Sequence, residues 1–288
     1  MNHGFRTGRV CGLALLLALA SWSLVGFAES VDGYAVLMEV DDHPEGYSDI
    51  PIEYVHVTWL TEMLTNLGWS EERILVRTDA EVTEWAVIEA IEWLAERADQ
   101  DDLVVFLIAA HGTFIRVELG WNEIFPALWA SVPTSRKLLL VDACHAGEYT
   151  STAVYGPMVM PEDTVLGTGA PGIAISSVAY DEYGWVGIPE EGDPIIGSSF
   201  LYYLAPAFGD EAADANGDGF TSVEEAFAAA VPPTQVYHRD VVFGNHPENV
   251  AAFESLHVRF DPEDFPHPHL IDEYPGELIL DLSWYRDP

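Results

Sequence analysis

The chain has 288 residues, 49% of them hydrophobic and 12% aromatic, which is ample for a folded core and argues against a disordered polymer. Its 48 acidic residues stand against 11 basic ones, a formal charge of −37 at pH 7. Such a surface repels nucleic acid and anionic membranes, which excludes both as partners, while it attracts cationic peptides; most of the acidity reads as adaptation to salt or as a solubility device.

Taken in chain order, the first feature is a targeting segment. Arg6 and Arg9 give a basic start, an apolar run follows from Val10 to Phe27, and the small residues Gly26 and Ala28 suit signal-peptide cleavage after Ala28. The expected product is soluble and secreted or periplasmic. The alternative is an uncleaved anchor, because about 18 apolar residues just span a bilayer. Cleavage removes Cys11 and leaves Cys144 as the single cysteine. A lone thiol in an oxidising compartment is a liability unless it is buried or used.

Beyond residue 28, strand-like and helix-like segments alternate. Tyr34–Val40 reads as a buried strand. Ile52–Leu67 carries helical spacing through Val55, Trp59, Leu60, Met63 and Leu67, with Gly68 as its stop. Arg73–Arg77 is a short strand and Thr83–Arg97 an amphipathic helix. Leu103–Ala110 is apolar throughout, as expected of a strand covered on both faces. Trp121–Ala130 predicts a helix, Leu138–Val141 and Gly172–Ser176 predict strands, and Ser198–Phe208 predicts another helix. Pro232–Leu270 is only weakly periodic, and Gly276–Leu282 reads as a final edge strand. The alternation predicts an α/β fold whose parallel sheet has helices on both faces. Chemistry in such sheets gathers beyond the carboxyl ends of the strands.

Two strand ends carry reactive residues. "LIAAHGTF" ends a strand with His111-Gly112, and "LLLVDACHAG" ends another with Cys144. Parallel strands of one sheet end on the same side, so the two residues, 33 positions apart, are expected at one rim. An imidazole beside a thiol suits nucleophilic catalysis, since only the thiolate attacks well. The amides of Gly112 and Cys144 are then candidate oxyanion donors. Singly, each residue has a plainer reading: a buried cysteine is usually a small hydrophobe, and a strand-end histidine is usually a surface residue.

"VVFLIAAHGTF" followed by "KLLLVDACHAGEY" resembles the caspase-type cysteine peptidases, which include caspases, metacaspases, legumain and bacterial relatives. In that group one strand ends in His-Gly and the next in a D-x-C or E-x-C box. "LTNLGWSEERILVRTDAEVTEWAVIEAIEWLAERADQDDLVVF" and "AISSVAYDEYGW" extend the likeness over roughly Tyr34 to Ala230. The resemblance implies a caspase-like three-layer α/β/α sandwich with a mostly parallel central sheet, an endopeptidase acting on peptide or protein substrates, His111 as general base and acid, and Cys144 as nucleophile. It further implies that Asp142, with Asp41 or Asp42, forms an acidic pocket for a basic P1 side chain, and that Asp181 or Glu182 borders the cleft. Legumain-like members carry an acidic residue at the Asp142 position and prefer Asn, so specificity stays open, as does the reading of Asp142 as a turn cap. The chain departs from the family pattern at Ala110, where many members have glycine, and in a short stretch after the histidine.

"DANGDGFTSVEE" fits the twelve-residue EF-hand loop. Asp214, Asn216 and Asp218 stand at positions one, three and five, Gly219 at the sharp turn, Phe220 offers its carbonyl, Ser222 is at nine and Glu225 at twelve. Hard oxygen donors at this spacing predict one Ca²⁺, structural in role because the loop is single. The competing reading is an acidic Asn-Gly/Asp-Gly turn. The expected domains are a signal peptide at 1–28, the peptidase domain at 29–231 with the loop at 214–225, and a C-terminal segment at 232–288 packing onto it. The function expected is an exported cysteine endopeptidase working through an acyl-enzyme. The alternatives are an inactive calcium-binding or interaction module on the same fold, or another hydrolase or acyltransferase using the same pair.

Overall fold

The computed structural model describes residues 30–155, 171–257 and 260–286; the targeting segment expected at 1–28 lies outside them. Six strands make one sheet: β1 (Gly33–Glu39), β2 (Ile74–Thr78), β3 (Leu103–Ala109), β4 (Lys137–Asp142), β5 (Ile173–Ser176) and β8 (His269–Asp272), in the order β2-β1-β3-β4-β5-β8. The first five are parallel and β8 is antiparallel to β5. A two-residue hairpin of β6 (Val186–Gly187) and β7 (Gly197–Ser198) stands apart from this sheet.

β3 and β4 are buried at every residue, as an apolar run in a parallel sheet requires. Alternate residues face opposite layers. Val36, Phe106, Leu139 and Ala174 join a core with α2 (Glu84–Arg97), α4 (Trp121–Ser131) and α5 (Ala146–Tyr155). Leu37, Leu107, Leu140 and Ile175 join a second core with α1 (Val55–Asn66), α6 (Ser199–Ala207) and α7 (Val223–Tyr237). Two dry layers flanking one sheet are the three-layer α/β/α sandwich that the sequence implies.

Local chemistry sets the ends of the helices. Thr83 caps α2 by accepting the Ala86 N–H, and Ser198 caps α6 by accepting that of Leu201. α4 ends over Lys137, the only lysine in the chain, whose buried ammonium donates to the carbonyls of Trp129 (2.7 Å) and Val132 (3.3 Å). A cation suits the carbonyl end of a helix, although burial still lowers the lysine's pKa to about 8.

Several expectations are corrected. α1 begins at Val55, not at Ile52, because Glu53 and Tyr54 adopt positive φ and cannot be helical. Two short helices were not legible, α3 (Gly112–Val117) and α5, which start directly after the two reactive strand ends. α7 runs through Pro232 and Pro233 to Tyr237, so the chain has no break at 231/232. The edge strand is β8. Gly276–Leu282 contributes one bridge, Ile279 to Ser222, and buries Leu278, Leu280 and Leu282 in the second core. α8 (Pro247–Leu256) and the following segment form a separate aromatic cluster around Phe243, Phe253 and Phe265.

Candidate active site

β3 and β4 are adjacent and in register, Ala109 facing Asp142, so the residues just beyond each strand emerge side by side. His111 and Cys144 line one cleft there, together with Asp41, Asp49, His56, Asp142, Gly184 and Trp185. The elbow after β4 is sharp. His145 holds a positive φ of 61°, with its N–H donated to the Glu182 carbonyl (2.7 Å), and α5 begins at the next residue. This turn leaves the Cys144 side chain at the rim and not in the core. Gly112 packs against the same elbow. A Cβ there would overlap the Cys144 carbonyl oxygen, so only glycine allows the two chain segments to meet this closely. Tyr149 from α5 locks the contact by donating to the Gly112 carbonyl (2.6 Å).

The imidazole of His111 is oriented from behind. Its Nε2 lies 2.9 Å from the Ser48 carbonyl, an acceptor only, so Nε2 carries the hydrogen and Nδ1 is the basic nitrogen. The buried ring of His43 packs against it with centroids 4.5 Å apart, and burial together with the charge of His111 lowers the pKa of His43. Burial raises the Cys144 thiol pKa, as does the Asp142 charge, while the amides of Gly184 and of Cys144 itself oppose this. The resting nucleophile is therefore a thiol that needs a base.

The floor of the cleft is acidic. Asp142 is buried, with Oδ1 accepting from Ser198 Oγ (3.1 Å) and Oδ2 lying 3.8 Å from His56 Nε2. Asp41 accepts the Tyr54 N–H (2.8 Å); burial and the neighbouring Glu39 push its pKa up to about 7.

The other expected pocket carboxylates stand elsewhere. Asp42 is exposed beside Asp79 and lies in a shallow hollow outside the cleft. Asp181 does not line the cleft. Glu182 is also absent from it: its carboxylate is buried against His267 Nδ1 (2.5 Å) and accepts the N–H groups of Ala179 and His267, so it ties the C-terminal segment to the cleft wall. Burial forces such a carboxylate to find partners inside the protein, which removes it from substrate contact. His43, Ser48, His56, Gly184 and Trp185 were not singled out from sequence. Of these only His56 leaves a trace, as a polar residue at helical spacing from Leu60 and Met63 on the inner face of α1.

The acidic loop at 214–225 is wound on its own side chains. Asp214 accepts the N–H groups of Gly217, Asp218 and Gly219, Asp218 that of Phe220, and Glu225 those of Ala215, Asn216 and Ser222. Ser222 and Glu225 also make the capping box that starts α7. Asn216 donates to Glu277 (2.9 Å). Among the described residues no three His, Cys, Asp or Glu side chains converge as a metal site. The oxygen-only donor set fits a hard cation in kind, and Asp214, Asn216, Asp218, Phe220, Ser222 and Glu225 are the groups that would hold it.

A parallel sheet between two helical layers, with a thiol and an imidazole at neighbouring strand ends, defines a caspase-like peptidase fold. The chain belongs to the caspase domain family, which it matches over residues 54–241. Caspase-1 from Spodoptera frugiperda is similar in structure, with a TM-score of 0.54 at 14% identity, covering 87% of this chain and 90% of that one. No curated protein matches. The family is one of cysteine peptidases, which act on peptide or protein substrates. No described helix is long and apolar enough to cross a membrane.

Proposed function

We propose that the protein is an exported cysteine endopeptidase that cleaves after basic residues through Cys144 and His111. The observation that carries this reading is the shared cleft, in which a thiol, a tautomer-fixed imidazole and two buried carboxylates face one space. As the Cys144 sulfur attacks the P1 carbonyl carbon, His111 Nδ1 takes the thiol proton. The carbonyl oxygen becomes an oxyanion received by the N–H groups of Gly112 and Cys144. Collapse breaks the C–N bond, and His111 returns the proton to the leaving amine. Water, deprotonated by His111, then opens the thioester and frees the enzyme. Because burial holds the thiol protonated at rest, His111 acts as a base during attack, without a preformed thiolate–imidazolium pair.

Asp142 and Asp41 supply the negative charge for an Arg or Lys side chain, since a carboxylate in a cleft pairs best with a cation. The test is a set of fluorogenic peptides with Arg, Lys, Asn or Asp at P1. Cleavage of the Arg and Lys peptides alone is expected, and its loss in Cys144→Ala. Cleavage that survives in that variant overturns the mechanism, and a preference for Asn or Asp overturns the basic pocket.

We also infer that the 214–225 loop takes one Ca²⁺ as a structural clip between α6 and α7. A bound ion would supply positive charge among side chains that otherwise share loop amides. Calcium is expected to raise the melting temperature, a gain reversed by chelator; an identical melt with and without the ion removes the site. Export rests on the basic and apolar N-terminal sequence, and N-terminal sequencing of the secreted protein, expected to start at Glu29, tests it.

A further inference from the structure

One residue of the cleft has no part in the bond-breaking steps. His56 sits in the first turn of α1, 2% exposed, and its ring bridges three elements. Nδ1 lies 2.6 Å from Glu39 Oε1 at the end of β1, a close contact without hydrogen-bond alignment. Nε2 accepts the backbone N–H of Ser198 (2.8 Å) at the start of α6, and Asp142 Oδ2 at the end of β4 is 3.8 Å from the same nitrogen. Ser198 Oγ in turn holds Asp142 Oδ1. The hairpin presses on the ring: a Cβ on Gly197, which has φ of 93°, would stand 2.9 Å from Nε2.

A ring nitrogen that accepts an N–H cannot itself carry hydrogen. In the structure as it stands His56 is therefore neutral, with its hydrogen on Nδ1 facing Glu39. A second proton must go to Nε2, where it collides with the Ser198 N–H, and the carboxylate set beside that nitrogen is Asp142, with Oδ2 at 3.8 Å. We propose that His56 is a specificity-determining residue of the P1 pocket: neutral, it orders the Ser198 wall and leaves Asp142 to a cationic P1 side chain, and protonated, it pairs with Asp142 and cancels that site. This rests on the basic-P1 reading above and adds a pH gate to it.

The charged and titratable groups facing His56 are Glu39 from β1, Asp41 from the loop after it and Asp142 from β4. Ser198 and Gly197 on the hairpin and Trp59 on α1 carry no charge. Burial lowers the pKa of His56, but these three carboxylates outweigh it and the net shift is upward. Protonation thus falls at or above the ordinary histidine range. Asp41, with a pKa of about 7, loses charge over a similar interval and acts in the same direction, so the two must be separated by mutation.

The experiment compares kcat/KM for a peptide with P1 Arg and for the same peptide with P1 citrulline, its uncharged isostere, from about pH 9 to about pH 5.5. Protonation of His111 affects both substrates alike and cancels in the ratio. In the wild type the Arg/citrulline ratio is expected to fall by about tenfold or more across this range, the scale on which a like charge a few ångströms away acts. Asp41→Asn keeps most of the fall. His56→Gln, whose side-chain oxygen can still accept the Ser198 N–H but which cannot gain a proton, gives a flat ratio. A His56→Gln curve that follows the wild type, or a wild-type ratio that does not change with pH, overturns the gate alone. A wild-type ratio near one at about pH 9 removes the basic-P1 reading and the gate together. If His56→Gln does not fold, ¹⁵N spectra of the wild-type ring decide: Nε2 must be an acceptor at high pH and gain its hydrogen over the interval in which the ratio falls, and a ring neutral throughout overturns the proposal.

Discussion

The cleft and the 214–225 loop are both acidic, but they are built in opposite ways. In the cleft, Asp41 and Asp142 are brought together from the ends of separate strands, stay buried, and find few backbone partners, so their charge is costly and available. In the loop, Asp214, Asp218 and Glu225 lie within twelve residues of one another and satisfy themselves on the loop's own amides. Acidity collected by topology is stored against the solvent, whereas acidity collected by local sequence is relaxed. The difference follows from the cost of burying charge, which a sheet core can impose and an exposed turn cannot.

The comparison breaks most decisively at Gly112. Gly112→Ala places a methyl group against the Cys144 carbonyl and must push the two strand ends apart. A fall in kcat/KM of about 10²–10³ is expected, the scale of losing one oxyanion donor, in a protein whose circular dichroism is unchanged. Near-normal activity would mean that the two rims need not meet. Next comes Asp142→Asn, which keeps the Ser198 contact but removes the charge; cleavage after Arg should drop by roughly 10–100-fold while the citrulline peptide is spared, on the scale of a charge-assisted pair in a cleft.

Asp41 gives a stability effect of the opposite sign. Its folded pKa, about 7, exceeds the ordinary value of 3.8, so the folded state holds the proton more tightly. The cost of its charge is absent below about pH 4, grows between there and about pH 7, and is complete above that. Asp41→Asn is therefore expected to stabilise the protein at pH 8, by about 1–2 kcal/mol after allowing for solvent screening, and to have little effect at pH 4. Denaturant melts at the two pH values check the sign. The smallest effect is expected in the loop. Glu225→Gln should cost about 1 kcal/mol or less from the weakened capping box, and should abolish any rise in melting temperature on adding Ca²⁺.

Much of this was legible in the sequence, for identifiable reasons. The apolar runs at 103–110 and 138–141 could only be strands covered on both faces, and once they were neighbours His111 and Cys144 had to share a rim. The parts that were not legible depend on contacts without local pattern. α3 and α5 begin at the reactive residues, where glycine and polar side chains hide the helical period. β8 is set by pairing with β5, while the more strand-like Gly276–Leu282 is consumed in core packing. Glu182 and Asp181 looked alike from their neighbourhood; only the distant His267 shows that the first is a tie. His56 reads as an ordinary inner-face residue until Glu39 and Asp142 converge on it.

The lone lysine has a practical corollary. Lys137 is sealed under α4, so amine-directed reagents find no lysine on the surface of the native molecule. Carbamylation or acylation at that position can register only chains that have opened, which makes the protein its own reporter of global unfolding without any engineered probe.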